Sequence, residues 1–306
     1  MTDGVSILGI FVADLAFRSG RMPAVGETIM GSGFAMGPGG KGSNQAVAAA
    51  RAGAKTRFIS RLGQDSFGDI AMATWAAEGI DAKVARSPQA PTGAAFIYVN
   101  DVNGENAIIV VPGAAGDISV ADVEAAAETI QSSRVFVTQL EQPAEAALAA
   151  LRIARGAGVT TVFNPAPAAP FDPAIYPLVD YITPNESETA AMVGFPVETI
   201  EDAKRAGDVL LKKGVGVALI TLGEKGALFH AKDRSELVPA FHVAAVVETA
   251  GAGDAFNGGF AAALAEGRDP LAAARFGCAV AGIAVTRAGT APAMPRRAEV
   301  EALLNR

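Results

Sequence analysis

"VVETAGAGDAFNGGFAAALAEG", Val246 to Gly267, decides how this chain is read. Two valines can end a strand, small residues follow, and an alanine-rich helical pattern begins at once. Gly251-Ala252-Gly253-Asp254 therefore lies at a loop-to-helix junction. The first N–H groups of a helix have no partner within it, and with the helix dipole they form an anion site. Glycine lets a phosphate come close to the backbone. An aspartate in that first turn has two possible uses. It can complement the helix dipole, worth under about 1 kcal/mol. Beside a bound phosphate it can instead take the proton of a hydroxyl that attacks the phosphate. The turn alone leaves both readings of Asp254 open.

Outward from this turn, short β-rich runs alternate with alanine-rich helical runs. "VSILGIFV" reads as a first strand and "GSNQAVAAARAGA" as a helix that stops near Gly53. "KTRFISRLG" and "SFGDIAMATWAAEGI" form the next strand and helix, and "RVFVTQL" with "PAEAALAALRIARGAG" another such pair. "TTVFNP" and "YITPNESETAAMVG" follow, then the helix "EDAKRAGDVLLKKGVG" and the apolar strand "VALITLG". Apolar strands separated by helices predict an α/β fold, a mostly parallel sheet with helices on both faces.

Two segments break the rhythm. "ETIMGSGFAMG" and "TGAAFIYVNDVNGENAIIVV" read as strands with no helix between them, the second a hairpin turning at Asn103-Gly104. With the end of the first strand they predict a small β-sheet lid, built from segments around 10–17, 27–37 and 92–111, on a single domain spanning 1–306. A lid of this kind excludes water from a site.

Composition narrows the function. The chain has 306 residues, 50% hydrophobic and 19% charged, which is a globular composition. Net charge is -7 with no basic block, which argues against nucleic acid and anionic membranes as partners. A single cysteine, Cys278, excludes an intrachain disulfide and a CxxC metal site. His230 and His242, the two histidines, sit in no motif. The N-terminus lacks a basic region followed by an apolar run, and no stretch reaches about 18 apolar residues. A reducing cytoplasm is the expected location. There is no G-x-x-x-x-G-K-[ST] motif. "GPGGKG", Gly37 to Gly42, fits G-x-G-x-x-G as a string but follows the irregular "GSGFAM" rather than a clear first strand, and no acidic residue lies about 20 positions on at a strand end.

Several stretches together resemble one family. "GPGGKGSNQAVAAARAGAKTRFISRLGQDSFG" is similar to the first signature of the ribokinase-like (PfkB) carbohydrate kinases, and "ETAGAGDAFNGGF" to the second. "ITPNESE" resembles the family's N-x-x-E element and "LITLGEKGA" its nucleotide-binding strand and turn. "PTGAAFIYVNDVNGENAIIVVPGA", "QLEQP" and "AGIAVTRAGTAPAMP" are closest to its ribokinase branch. The resemblance runs through essentially the whole chain, in order.

It implies a Rossmann-like body with a β-lid, and ATP-dependent phosphorylation of the CH2OH group of a pentose, D-ribose above others. Another ketohexose, keto-deoxy sugar acid or nucleoside kinase of the family is the alternative, and a non-catalytic sugar- or nucleotide-binding protein the remote one. It makes Asp254 the general base and gives Gly251, Ala252 and Gly253 the anion hole. Asp14, Gly39, Gly40, Lys41, Asn44, Glu141 and Asp254 itself would bind the sugar. A helix N-cap is the plainer role for Asn44.

Asn185, Thr221, Gly223, Gly226, Gly253 and Cys278 would border ATP, the cysteine as an inert packing residue. Asn185 and Glu188 would also organise water around Mg²⁺, a capping pair being the plainer reading. The resemblance further implies a potassium ion held by Glu248, Ala250, Ala284, Arg287, Gly289 and Ala293, and a homodimer formed through the lid. Glu248 and Ala250 stand where Asp and Thr are usual. Val12 replaces the asparagine of the family's N-x-D, which puts apolar surface beside Asp14. For an acidic sugar, Arg18 and Arg21 are the candidates by position.

Overall fold

The computed structural model describes residues 2–305. The chain enters the middle of a large sheet with β1 (Val5–Leu8) and leaves it at once for the lid with β2 (Val12–Ser19) and β3 (Gly33–Gly39). α1 (Lys41–Arg51), β4 (Thr56–Gly63), α2 (Ser66–Ala77) and β5 (Asp81–Ser87) return to the body. β6 (Thr92–Asn100) and β7 (Asn106–Gly113) complete the lid. α3 (Val120–Ala125), α4 (Ala127–Gln131), β8 (Val135–Thr138), α5 (Ala144–Gly156), β9 (Thr160–Phe163) and β10 (Tyr181–Ile182) build the centre. α6 (Glu186–Val193), α7 (Ile200–Lys212), β11 (Val217–Thr221), β12 (Ala227–His230) and β13 (Ser235–Val238) build the far edge. α8 (Ala252–Ala265), α9 (Pro270–Ala284) and α10 (Arg297–Leu304) close the chain.

The large sheet has nine strands in the order β13-β12-β11-β10-β9-β8-β1-β4-β5. The run from β11 to β5 pairs in parallel; β12 and β13 are antiparallel. One apolar cluster packs α1, α2, α8 and α9 on one face, and a second packs α5 and α7 on the other. Parallel strands covered on both sides have no polar face, which is why their sequences read as continuous apolar runs. The lid has four strands in the order β3-β2-β6-β7. The predicted hairpin is present, with β6 and β7 antiparallel.

Two sequence expectations are corrected. "VSILGIFV" is not one strand: β1 stops at Leu8 and the lid strand begins at Val12. Close packing forces the break, since a Cβ on Gly9 would lie 2.7 Å from Gly42 Cα and 2.6 Å from Gln139 Oε1. The first half of "ETIMGSGFAMG" is not strand either; pairing starts at Gly33. Glu27 there closes an exposed loop instead, accepting from Ala24 N–H (2.9 Å) and pairing with Arg21.

Candidate active site

The carboxyl ends of parallel strands, where ligands bind in sheets of this kind, converge on the N-terminus of α8. A cavity of about 190 Å³ opens there, walled by Lys41 from α1, Asn164 after β9, Thr183 after β10, Asn185 and Glu188 at α6, Thr221 from β11, and Thr249, Gly251, Ala252, Gly253, Asp254 and Asn257. A larger hollow of about 480 Å³ lies at the opposite ends of the strands, its charged content the exposed Arg155–Asp180 pair. Convergent chemistry, not volume, marks the site.

Gly251 caps α8 in the left-handed conformation, φ 77°, with no side chain answering the helix amides. A Cβ on Gly253 would meet nothing within 4 Å, so its backbone faces open space. Ala252 N–H is already given to Thr249 O (3.1 Å), which leaves the Gly251 and Gly253 amides as the free donors of the predicted anion hole.

Asp254 stands in the first turn but caps nothing. It is buried, 5% exposed, and accepts from Asn44 Nδ2 (3.0 Å) and Gln45 Nε2 (3.1 Å). Burial pushes its carboxyl above the usual range; Lys41 and the two amide donors oppose that. Asn44 is not a helix cap either: α1 starts at Lys41 with Gly40 as its cap. With Asn44 Nδ2 committed to Asp254, its Oδ1 is buried and has no hydrogen-bond partner among the described residues.

Around this pair stand further charges. Lys41 is held charged by Asp254, Glu141 and Glu188 against the cost of burial. Glu141 accepts from Lys41 N–H (2.7 Å), and its carboxyl is pushed up to about 7, chiefly by burial. Asp14 is pushed up to about 6 by burial first and then by Asp254 and Glu248. Its carboxylate fills the space above Gly39, where a Cβ would lie 2.2 Å from Oδ1. Gly40, at φ 89°, passes so close to Ile10 O that a Cβ would lie 2.5 Å away.

Asn185 and Glu188 form a full capping box on α6: Asn185 Oδ1 accepts from Glu188 N–H (2.8 Å), and Glu188 Oε2 from Asn185 N–H (2.9 Å). Both also line the cavity, with Glu188 7% exposed. The plainer reading is thus realised without excluding the other, since Glu188 Oε1 is not used in the cap.

The remaining predicted residues fall around the edge. Thr221 lines the cavity, while Gly223 opens a short 3₁₀ turn. Gly226, at φ 109°, is demanded by the strand beside it, because a Cβ would lie 2.0 Å from Val238 O. Cys278 does not line the cavity. It is buried in α9, its Sγ 4.0 Å from Val238 O, and burial lifts the thiol to about 12, so it is inert.

Behind Gly251, Glu248 Oε2 accepts from Gly289 N–H (2.7 Å), Arg287 pairs with Glu299, Ala284 O takes Arg287 N–H (3.1 Å), and Ala293 N–H donates to Thr290 O (3.1 Å). Glu248 N–H also donates to Val285 O (3.2 Å), and Ala250 lies in the segment between Glu248 and Gly251. Arg18 faces Asp101 (3.5 Å) and Arg21 pairs with Glu27 in an exposed loop, so neither reaches the cavity.

The sequence reading missed a layer of amides. Gln45 touches Asp254 directly; Asn164 accepts from Gln45 (3.1 Å); Asn257 Oδ1 accepts from Thr183 Oγ1 (2.6 Å) while its Nδ2 holds Gly253 O (2.8 Å). The available signal was position. Gln45 follows Asn44 in the quoted signature, and Asn164 ends an apolar strand in "TTVFNP".

Comparison with known proteins identifies the family and the fold. Residues 2–297 match the model of the pfkB family of carbohydrate kinases. A ribokinase of Haemophilus influenzae is 39% identical over 98% of this chain and 97% of its own length. A deoxyribokinase of Salmonella typhi is 36% identical over 95% of each chain. The structure of an Arabidopsis thaliana ribokinase complexed with ribose and ATP superposes with a TM-score of 0.93 at 30% identity, covering 100% of both chains.

Proposed function

The chain belongs to the pfkB family of carbohydrate kinases, and from that premise we propose that it transfers the γ-phosphoryl group of ATP to the CH2OH group of D-ribose, giving the 5-phosphate. The observation that carries this reading is the pairing of a buried, uncapping Asp254 with open glycine amides at one helix N-terminus. Asp254 takes the hydroxyl proton as the oxygen attacks phosphorus in line, and the Gly251 and Gly253 amides face the charge that develops on the phosphoryl oxygens. Lys41 adds a fixed positive charge on the path between donor and acceptor.

Asp14, Asn44 and Glu141 supply the sugar's hydrogen-bond partners, and Gly39 and Gly40 make room for the Asp14 carboxylate and the Ile10 carbonyl beside them. ATP would lie along Asn185, Thr221 and Gly223, and Glu188 with Asn185 would hold Mg²⁺ through water. The metal neutralises phosphate charge when bound. Potassium would be held by Glu248 and the carbonyls of the 284–293 turn, steadying Gly251 from behind. We also propose a homodimer through the lid.

Val12 favours a second reading. It is buried, 3% exposed, and shares a lid face with Asp14, so it offers no hydrogen bond to a sugar hydroxyl beside that carboxylate. A 2-deoxypentose would lose nothing there, and a deoxyribokinase is among the relatives. ADP release with Mg-ATP, measured with and without K⁺ on D-ribose, 2-deoxy-D-ribose, hexoses, sugar acids and nucleosides, separates the substrates. Asp254→Asn is expected to keep sugar binding and lose nearly all turnover; retained turnover would sink the mechanism.

A further inference from the structure

Thr183 O can only accept, so Asn164 must turn Nδ2 toward it (2.8 Å). Asn164 then shows Oδ1 to Gln45, which must answer with Nε2 (3.1 Å). Turned that way, Gln45 has one hydrogen left for Asp254 Oδ1 (3.1 Å) and presents Oε1 to Gln139 Nε2 (2.6 Å). One backbone carbonyl thus sets the polarity of three amides. Gln45 and Gln139 are fully buried and Asn164 is 6% exposed. Room for this relay is made by two glycines: a Cβ would lie 2.6 Å from Gln139 Oε1 at Gly9 and 3.0 Å at Gly42. A buried polar network held at such a cost in packing freedom is a specifying device.

We propose that Gln45, oriented by Asn164 and Gln139, is a positioning residue that keeps an amide N–H on Asp254 Oδ1, fixing the bearing and the charge of the base. This rests on the reading of Asp254 as the base. The charged groups facing Asp254 are Lys41 from α1, Asp14 from β2, Glu141 after β8 and Glu188 from α6. Burial raises the Asp254 carboxyl, and Gln45 is one of the donors that lower it. Without that donor the base takes up its proton at higher pH, so the acid limb of the rate profile moves up. A general loss of packing would lower the rate at every pH and leave the limb in place.

The test is the pH profile of kcat for Gln45→Met, Gln139→Met, the double variant and Asp254→Asn. Gln45→Met is expected to move the acid limb up by about one pH unit, lowering kcat about tenfold at pH values on that limb, with KM for ATP held within about twofold. Gln139→Met, which does not touch Asp254, moves the limb in the same direction by less, and the double variant moves it no further than Gln45→Met alone. Gln139→Met carries the test if Gln45→Met fails to fold. An unmoved limb, with Asp254→Asn inactive, overturns the relay. Turnover by Asp254→Asn would overturn the base reading itself, a separate failure.

Discussion

Asp14 shows what the site costs at the scale of one residue. Its carboxyl sits at about 6 against an ordinary 3.8, because burial and the neighbouring Asp254 and Glu248 disfavour its charge. A value raised in the folded chain gives stability that is intact below the unfolded value and lost as pH rises through about 6. At neutral pH the free protein therefore carries a charge that would be better solvated unfolded. Asp14→Asn removes that penalty, roughly 1–3 kcal/mol, while deleting an acceptor for the sugar. The expected result is a melting temperature raised by about 2–5 °C at pH 8, equal to wild type at pH 4, with sugar binding lost. Equal melting at both pH values would mean that the buried charge is not destabilising. Asp254 was legible because a carboxylate follows glycines at a helix start, whereas Asp14, Lys41 and Asn44 were legible only through the family resemblance. Gln45, Asn164 and Asn257 were not, since an amide gains its meaning only from the partner the fold brings to it.

At the scale of elements, what the sequence conceals is where the chain turns away. β1 and β2 form one apolar run in sequence, and their separation depends on Gly42 and Gln139 lying across Gly9, contacts that join distant segments. The lid shows the same limit. Strand pairing puts Leu15, Phe17, Phe34, Met36, Phe96 and Ile109 on one face, and Val12, Asp14, Ala95 and Val110 on the other. One face serves the site; the aromatic face does not. The lid is also tied to the anion turn. Thr290 Oγ1 donates to Pro38 O at the end of β3 (3.2 Å), and Thr290 packs on Gly251, where a Cβ would lie 3.3 Å from its Cα. Thr290→Val keeps the shape and removes the donor. KM for the sugar is expected to rise about fivefold, the value of one hydrogen bond, with kcat little changed. A fall in kcat at constant KM would show instead that Thr290 serves the transferring phosphoryl.

For the whole molecule, alternation of strand and helix made the parallel body legible, but strand order was not, because nothing local places β1 between β8 and β4. Nor could the sequence say which lid face is bare. The structure leaves Phe34 61%, Ile109 63%, Met36 49% and Phe17 44% exposed on one continuous side, with Phe17 packed against Phe34 and Phe96 as tilted rings at centroid distances of 5.0 and 5.7 Å. Monomers rarely leave so much contiguous apolar surface in water, and β3 and β7 add two open edges. No helix among the described residues is long and apolar enough to cross a membrane, so a spanning helix does not account for this face. A second copy of the lid, presenting the same side, would cover both. Light scattering at micromolar concentration is expected to give about twice the 31.0 kDa chain mass, and Phe34→Lys to give the chain mass. The charge would be buried at the centre of a self-complementary patch and met by its own copy there. Wild type running at the chain mass would leave the aromatic face without a partner of its own kind. The variant running as a dimer would move the interface elsewhere.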